Sequence, residues 1–471
     1  MTKEIKFILN DERINIDVNP NSTLLDFIRK IKHLPGTKEV CREGDCGACS
    51  VLSGELIEGK IFYKTINSCI YPLGNCTNKH IVTIEGLNQT KLNFQQNAFA
   101  ENEAAQCGFC TPGFIIATTG FLINNENYNL ESALKSLDGN ICRCTGYGSI
   151  KRALTNIIRN IKPQSEQNRL DFLIESNVLP IYFKDIPNDL AKLESAAKES
   201  DNSEWKNYIS GGTDLFVQKA QELLEYDLNF LQEKKLNSIR KKDNSIHIGG
   251  FTSFEEFKES EIIKSLFGER IKPLDLIASL PIRNTATIAG NIANASPIGD
   301  LTIILLALNA KLVLSNSYAK RIIDLKDFHI GYKKLAKEED EYIEEIIFEI
   351  PKMNYKINFE KVSKRKFLDI ASVNSAAFFI YNADKIITAQ ISAGGVAPVP
   401  LLLKKTSEYF SDKNISQINF GDVKSILESE SNPISDVRGS ADYKRLLLFQ
   451  LIKAHFLELF PELISMEDLI K

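Results

Sequence analysis

The sequence of 471 residues has only a small net charge of -4, no long apolar run and no cysteine after residue 144. Its 57 lysines and arginines nearly balance 61 aspartates and glutamates, so the chain lacks the cationic field that a phosphate backbone requires, and nucleic-acid binding is disfavoured. The apolar stretches 114–123 and 302–308 are too short to cross a membrane, and residues 1–6 lack the apolar segment of a signal peptide. These absences predict a soluble, cytoplasmic protein without a nucleic-acid or membrane partner.

Two nucleotide-binding motifs, G-x-G-x-x-G and G-x4-G-K-[ST], are also absent, which argues against a Rossmann or P-loop site. The absence of these motifs does not argue against a site where NAD binds next to a flavin. The chain does have nine cysteines, all between Cys41 and Cys144, a distribution unlike that of a disulfide framework. We interpret this stretch as a metal-binding module in a chain long enough for about three domains.

The first 90 residues predict a β-grasp domain, a small sheet wrapped on one helix. Thr23 and Asp26 resemble a capping box before an apolar-periodic stretch that reaches Leu34. Alternating or β-rich segments predict strands at 4–10, 13–18, 50–56 and 81–84.

Beyond residue 93 the apolar period changes to 3.6, which predicts a four-helix unit. Its helices are predicted at 96–105, 113–123, 130–137 and 149–158. The polar, proline-bearing segment 160–168 is typical of a linker, and short strands then alternate with helical stretches in an α+β pattern. Strands are predicted at 207–210, 245–249, 311–315, 345–350 and 371–380, and a final helix at 443–458.

A first group of cysteines has the spacing C-x4-C-x2-C, with a fourth cysteine 19 residues further on, which is typical of plant-type 2Fe-2S clusters. The group consists of Cys41, Cys46, Cys49 and Cys69. Gly44 and Gly47 permit the positive φ that a tight ligand loop needs. The alternatives are a zinc site or buried thiols, although His33 and His80 form no ligand pair, and a set with Cys76 in place of Cys69.

A second group combines C-x2-C with C-x-C, separated by 31 residues. It consists of Cys107, Cys110, Cys142 and Cys144. Each half lies just ahead of a predicted helix, whose N-terminus favours thiolates. Alone this group is also compatible with a four-cysteine zinc site, and the first group beside it favours iron.

Two loops with small residues are candidates for flavin binding. The first is Ser210, Gly211, Gly212, Thr213 and Asp214, where two glycines after a strand favour an anion nest. The second contributes Thr287, Gly290, Asn291, Ser296 and Asp300, whose hydroxyl, amide and carboxylate groups suit phosphate and ribose. The alternative in each case is an ordinary turn, with a helix cap in the second loop.

Three segments resemble the iron–sulfur part of the molybdenum hydroxylases: CREGDCGAC at 41–49, QCGFCTPG at 106–113 and CRCTGY at 142–147. Both loops, with SAGGVAP at 392–398 and RGSADY at 438–443, resemble flavin-binding segments of the same family. The resemblance covers nearly the whole chain.

The resemblance implies an α+β multidomain fold with an FAD domain of the vanillyl-alcohol-oxidase/CO-dehydrogenase-flavoprotein type. The expected order is a β-grasp, ferredoxin-like 2Fe-2S domain (1–88), a four-helix 2Fe-2S domain (89–160), a linker (161–173), a two-lobed α+β FAD-binding domain (174–345) and a C-terminal flavoprotein subdomain (346–471). It also places Lys405 near the isoalloxazine, and Gln106 and Cys144 near a molybdopterin. Ile277 stands where eukaryotic members carry an aromatic residue near the flavin, so stacking is not expected there.

Within the family, the resemblance is to the small subunits of bacterial xanthine dehydrogenases, whose separate large subunit carries molybdopterin. It implies an oxidoreductase subunit that passes electrons from that partner through two 2Fe-2S clusters to FAD and on to NAD, in a heterotetramer with two of each chain. No catalytic side chain is expected here beyond the bound FAD. The alternatives are the reductase subunit of a molybdenum hydroxylase acting on aldehydes or N-heterocycles, and a non-enzymatic iron–sulfur scaffold.

Overall fold

A computed structural model describes residues 2–125, 127–162, 168–195, 207–234, 236–365 and 367–470. Backbone contacts divide the chain into two units. The first contains residues 1–203, 211–230 and 279–285, and the second contains 204–210, 231–278 and 286–471.

The first unit begins with a five-stranded mixed sheet. Its strands, in spatial order, are Glu12–Val18, Lys3–Leu9, His80–Val82, Ser50–Ile57 and Lys60–Asn67. Thr23 caps the helix Leu24–Asp26, which continues as the π-helical turn Phe27–Ile31. The rings of Phe7 and Phe27 pack 5.5 Å apart in the core between sheet and helix. The predicted β-grasp fold is confirmed, with one strand, Lys60–Asn67, that the sequence analysis missed.

Four helices follow, as predicted: Phe94–Glu101, Thr111–Asn124, Leu130–Lys135 and Gly148–Asn160. A capping box between Asn93 and Gln96 begins the first. The predicted linker is shorter than expected, because Arg169–Glu175 is helical, with Phe172 and Leu173 buried in the same core as the four helices. Residues 163–167 of that linker lie outside the described residues.

Further segments complete the first unit. They are the helices Ile186–Ser195, Thr213–Leu223 and Leu280–Arg283, the strand Asn229–Phe230 and the 3-10 turns Ser68–Ile70, Leu73–Cys76, Glu85–Leu87 and Ile181–Lys184. Asn21 donates to the carbonyl oxygens of Leu223 and Tyr226, and so fixes the C-terminal end of the second of these helices beside the first sheet.

The second unit contains an antiparallel five-stranded sheet. Its strands, in spatial order, are Lys320–Asp324, Lys311–Ser315, Tyr342–Glu349, Ser245–Gly249 and Ile239–Lys242. The accompanying helices are Phe254–Glu259, Glu261–Phe267, Ile288–Ala293, Asp300–Ala307 and Leu325–Phe328, with 3-10 helices at Leu231–Lys234 and Gly268–Leu276. Short strands at Tyr208–Ile209, His329–Gly331 and Lys334–Leu335 complete this part.

A second antiparallel sheet follows in the same unit. Its strands are Tyr355–Val362, Val373–Asn382, Lys385–Gly394, Leu401–Leu402 and Lys413–Asn414. The helices Lys404–Phe410, Phe420–Glu430, Ala441–Leu459 and Met466–Ile470 and the 3-10 turn Ile415–Gln417 complete the fold. Phe379, Phe410 and Phe456 form a fully buried aromatic core. The predicted α+β multidomain class is confirmed, and no helix in the described part of the chain has the length and hydropathy needed to cross a membrane.

Candidate functional site

The loop 41–49 and the 3-10 turn Ser68–Ile70 bring the first four cysteines together. Gly44 and Gly47 have φ of +76° and +66°, and these turns bring the Sγ atoms of Cys41 and Cys46 to 3.3 Å of each other. Cys69 hydrogen bonds with Cys41 and with Cys49, so the four thiols form one contiguous row. The loop provides the compact thiol cluster that its spacing predicts.

The pKa values of these thiols depend on one another. Hydrogen bonds from Cys46 and Cys69 lower the pKa of Cys41, whereas the same contacts with Cys41 raise the pKa of Cys46 and of Cys69. The three pKa shifts thus have opposite directions because these thiols contact one another. Iron bound by Cys41, Cys46, Cys49 and Cys69 would supply positive charge that favours their thiolate forms.

Cys76, the alternative fourth ligand, lies elsewhere. It is fully buried in the apolar core of the first sheet, and burial raises the pKa of its thiol to about 12. The structure thus places Cys69, and not Cys76, beside the other three thiols.

The second cysteine group forms two pairs. The Sγ atoms of Cys107 and Cys144 are 3.7 Å apart, and Cys110 hydrogen bonds with Cys142. Cys110 directly precedes the helix Thr111–Asn124, as predicted. The helix after Cys142 and Cys144 begins only at Gly148, and the hydroxyl and N–H of Thr145 contact Cys142 Sγ instead, at 3.1 and 3.4 Å.

The donor set fits binuclear iron–sulfur clusters. Among the described residues, no three histidine, cysteine or carboxylate side chains are placed to hold one metal ion. A four-cysteine zinc site requires all four thiolates around one centre, whereas a 2Fe-2S cluster takes two protein ligands per iron. Paired thiols such as Cys107–Cys144 and Cys110–Cys142 suit the second geometry.

The two cysteine loops contact each other directly. Ile141 N–H donates to the carbonyl oxygen of Cys46 at 3.0 Å, and Asn140 Nδ2 donates to Gly47 O at 3.2 Å. A Cβ at Gly47 would collide with Gly139 and Asn140. Cys142 follows Ile141 directly in the chain. The hydrogen bond from Ile141 N–H to Cys46 O therefore links the main chain beside Cys142 to that of Cys46. No motif in the sequence indicates this contact.

The first candidate flavin loop has the backbone of an anion nest. Gly212 has φ of +74° and is the N-cap of the helix Thr213–Leu223, to which, as a glycine, it gives no side-chain cap. The N–H groups at the start of a helix point out of its N-terminal end, which is the orientation that an anion requires. Gly211 and Asp214 flank this turn in the first unit.

The second candidate loop, in the other unit, uses many of its polar groups internally. Thr287 Oγ1 accepts from Gly290 N–H at 3.1 Å as a helix cap and lies 2.7 Å from Ser210 Oγ. Asn291 Oδ1 accepts from the N–H and the hydroxyl of Thr302, and Ser296 Oγ accepts from Ile298 N–H. These contacts are those of the turn-and-cap alternative, and a flavin-binding role for the loop stays a prediction.

Asp300 lies in a buried polar cluster. Lys361 Nζ is 2.8 Å from Asp300 Oδ2, and the two side chains are only 2% and 12% exposed. Asn374 Nδ2 donates to Asp300 Oδ1 at 2.5 Å, and Lys361 also donates to Leu276 O, next to Ile277. The sequence analysis missed Lys361, since no glycine motif or ligand spacing marks it.

Lys405 occupies a different environment. Its side chain is exposed in the first turn of the helix Lys404–Phe410, with Nζ 3.5 Å from Ser429 Oγ. Of the two lysines, Lys361 is the one that contacts another predicted site residue.

An unpaired acceptor also marks this cluster. Asn374 Oδ1 is buried and has no hydrogen-bond partner within the described residues. A buried polar atom normally has a partner, so this oxygen suits a ligand with an N–H or O–H donor, and FAD carries both. Taken by itself, this cluster is compatible with part of FAD, the group that the sequence predicts.

Four family models match successive parts of the chain. They are the 2Fe-2S iron-sulfur cluster binding domain (7–72), the 2Fe-2S binding domain (83–155), the FAD binding domain in molybdopterin dehydrogenase (186–353) and the CO dehydrogenase flavoprotein C-terminal domain (359–459). The chain belongs to the molybdenum hydroxylase family. It is the electron-transfer, iron–sulfur and FAD part of such an enzyme.

Curated relatives of this molybdenum hydroxylase component match nearly all of it. Xanthine dehydrogenase 1 of Arabidopsis thaliana is 26% identical over 97% of this chain and 40% of its own length. Xanthine dehydrogenase of Emericella nidulans is 28% identical over 88% of this chain and 35% of its own length. Xanthine dehydrogenase/oxidase of Gallus gallus is 24% identical over 98% of this chain and 40% of its own length. The chain thus spans about two fifths of the length of these relatives.

Solved structures match about half of the component. CO dehydrogenase from Oligotropha carboxidovorans has a TM-score of 0.49 and 24% identity over 53% of this chain and 87% of the matched chain. Quinoline 2-oxidoreductase from Pseudomonas putida 86 has a TM-score of 0.47 and 21% identity over 55% of this chain and 90% of the matched chain.

Proposed function

We propose that this chain is the electron-transfer subunit of a xanthine dehydrogenase, working with a partner subunit that carries molybdopterin, and with NAD as the final acceptor. The observation that carries the proposal is the match to xanthine dehydrogenases over 88–98% of the chain. We further propose that two copies of each subunit assemble into a heterotetramer, in the cytoplasm.

The chain's own residues hold and orient the cofactors. The eight cysteines of the two groups are the proposed iron ligands, the Gly212 nest is the proposed pyrophosphate site, and the Asp300–Lys361–Asn374 cluster is the proposed flavin contact. When bound, the clusters carry single electrons and FAD combines two of them for hydride transfer to NAD. The protein supplies binding, orientation and electrostatics.

Two assays test this division of labour. The purified chain should oxidise NADH with an artificial dye as acceptor, because it holds the proposed flavin site. It should not convert xanthine, because all four matched stretches are iron–sulfur or flavin domains. Xanthine turnover by this chain alone would contradict the proposal.

The substrate is tested with the copurifying partner. The complex should convert xanthine and reduce NAD, measured as urate and NADH formed in equal amounts. Oxidation of an aldehyde or an N-heterocycle without xanthine turnover would instead establish the reductase subunit of another molybdenum hydroxylase. A chain purified without flavin would support the non-enzymatic scaffold.

A further inference from the structure

A segment far from the cysteines in sequence contacts the structure around both cysteine loops. Residues 279–285 fall within the stretch matched by the flavin-domain model, yet they belong to the first structural unit. Their hydrogen bonds with Asp138 and Thr65 lie within that unit.

On one side this segment binds the turn that carries the second group. Asp138 Oδ2 is 3.1 Å from Arg283 Nη1, and its Oδ1 accepts from Leu280 N–H at 2.7 Å. Arg283 is only 4% exposed, so this ion pair is shielded from water. A Cβ added at Gly139 would lie 2.9 Å from Pro281 Cδ, which shows how closely the segment packs on the turn.

On the other side the segment binds the sheet behind the first group. Asn284 Nδ2 donates to the carbonyl oxygen of Thr65 at 2.9 Å. Thr65 lies in the strand Lys60–Asn67, whose last residue, Asn67, donates through its side chain to Gly44 O at 2.7 Å in the first cysteine loop. Neighbouring residues Arg283 and Asn284 thus anchor both sides of the junction between the loops.

We propose that residues 279–285 form a clasp that positions the two cysteine loops against each other, with Arg283 as the positioning residue for electron exchange between the clusters. The inference rests on the proposed function, since it needs both clusters. In that exchange one cluster loses the electron that the other gains, and no bond in the chain is made or broken. The clasp acts by maintaining the hydrogen bond from Ile141 N–H to Cys46 O, which joins the two loops.

The test compares Arg283→Met and Asn284→Ala with the parent chain, loaded with iron and flavin. Lys258→Met is the matched control, because Lys258 is also a mostly buried cation, 3.0 Å from Asp275, but lies in the second unit. Arg283→Lys should restore part of any loss by restoring the charge.

The first readout is amide hydrogen exchange of residues 138–142. Loss of the clasp should speed it about tenfold or more in both clasp variants, because one anchor of the local closed state is gone. The second is the spin–spin interaction between the two reduced clusters in EPR. The third is the rate of electron redistribution after flash reduction, expected to fall by about tenfold, as small misplacements of reacting groups cost up to ~100-fold.

Each outcome decides the proposal. Faster exchange, weaker spin coupling and slower redistribution in both clasp variants, with the control unchanged, support it. Unchanged spin coupling and redistribution in both variants overturn it, even if amide exchange rises, because the segment is then only structural. If Arg283→Met does not fold, Asn284→Ala alone decides. A parent chain without iron contradicts the proposed function separately, and amide exchange then still tests the clasp.

Discussion

At the scale of single residues, the environment of Asp300 shows how buried charge is balanced. Lys361 donates to one of its oxygens and Asn374 to the other. Removing one partner of a buried ion pair lowers the free energy of unfolding by more than the intact pair contributes to it, because the remaining charge stays buried. Asp300 could be proposed from the sequence because it follows a small-residue loop. Lys361, 61 positions further along the chain, could not, since only folding brings that strand beside the loop.

Replacing Lys361 should therefore affect flavin more than iron. We expect Lys361→Met to leave the buried Asp300 carboxylate without its cationic partner, to destabilise the second unit by about 3–5 kcal/mol and to reduce bound FAD severalfold. Flavin and iron per chain and the thermal midpoint measure this. Lys405→Met is the control, since that side chain is exposed. Loss of flavin from the control, with flavin retained in Lys361→Met, would show that Lys405, and not Lys361, contacts the flavin.

A buried histidine should make the chain sensitive to acid. Burial lowers the pKa of His80 to about 3, despite its hydrogen bond to Asn10 O, whereas an unfolded histidine has a pKa of about 6.5. Between these values the unfolded state binds the extra proton, so stability falls as pH decreases below 6.5. The loss from His80 should reach about 2 kcal/mol at pH 5.

Urea unfolding of His80→Gln at pH 7 and pH 5 tests this. The variant should lose less stability than the parent over this interval, by about that amount. His33→Gln, which changes an exposed histidine, should behave as the parent does. Equal losses in parent and His80→Gln would show that another group controls the acid response.

At the scale of elements, local patterns predicted most of the helices and strands. The strands Ser245–Gly249 and Lys311–Ser315 coincide with their predictions, because each has an apolar alternation bounded by turn residues. The strand Lys60–Asn67 was missed because apolar and polar residues do not alternate strictly along it. Contacts between elements, such as Asn140 with Gly47, leave no local pattern, so the junction of the cysteine loops was not predictable.

The turn before the helix Thr213–Leu223 gives a test of the nest. We expect Gly212→Val to lower FAD binding far more than iron content, because valine is strained at φ of +74° and its side chain occupies the anion's position. Iron should persist, since Asn21 holds the far end of this helix. Flavin and iron per purified chain are the measurements.

Gly59→Val is the matched control for backbone strain. Gly59 has φ of +78°, and no described residue other than its chain neighbours lies within 4 Å of an added Cβ, so this variant carries a similar strain away from the nest. It should retain flavin. Stoichiometric flavin in Gly212→Val, or loss of iron together with flavin, would argue against the nest as the flavin site.

At the scale of the whole molecule, the two thiol groups predict the metal content. We expect four irons per chain in two distinct 2Fe-2S centres, because one group lies in a glycine loop and the other between helices. Full reduction should give two EPR signals, and Cys46→Ser should remove one of them. Cys76→Ser is the control and should retain both. Two irons per chain, or one signal, would contradict the assignment.

The division of the first unit into residues 1–203, 211–230 and 279–285 has a consequence for biosynthesis. A ribosome that has released only the first 203 residues has not yet supplied the partners of Asp138, Asn21 and Thr65. The iron–sulfur region of the nascent chain therefore completes its packing only after residue 285 has emerged. A gene fragment that ends at the predicted linker would encode every cysteine and still leave these surfaces uncovered, so iron insertion and solubility in cells should depend on how far translation has proceeded.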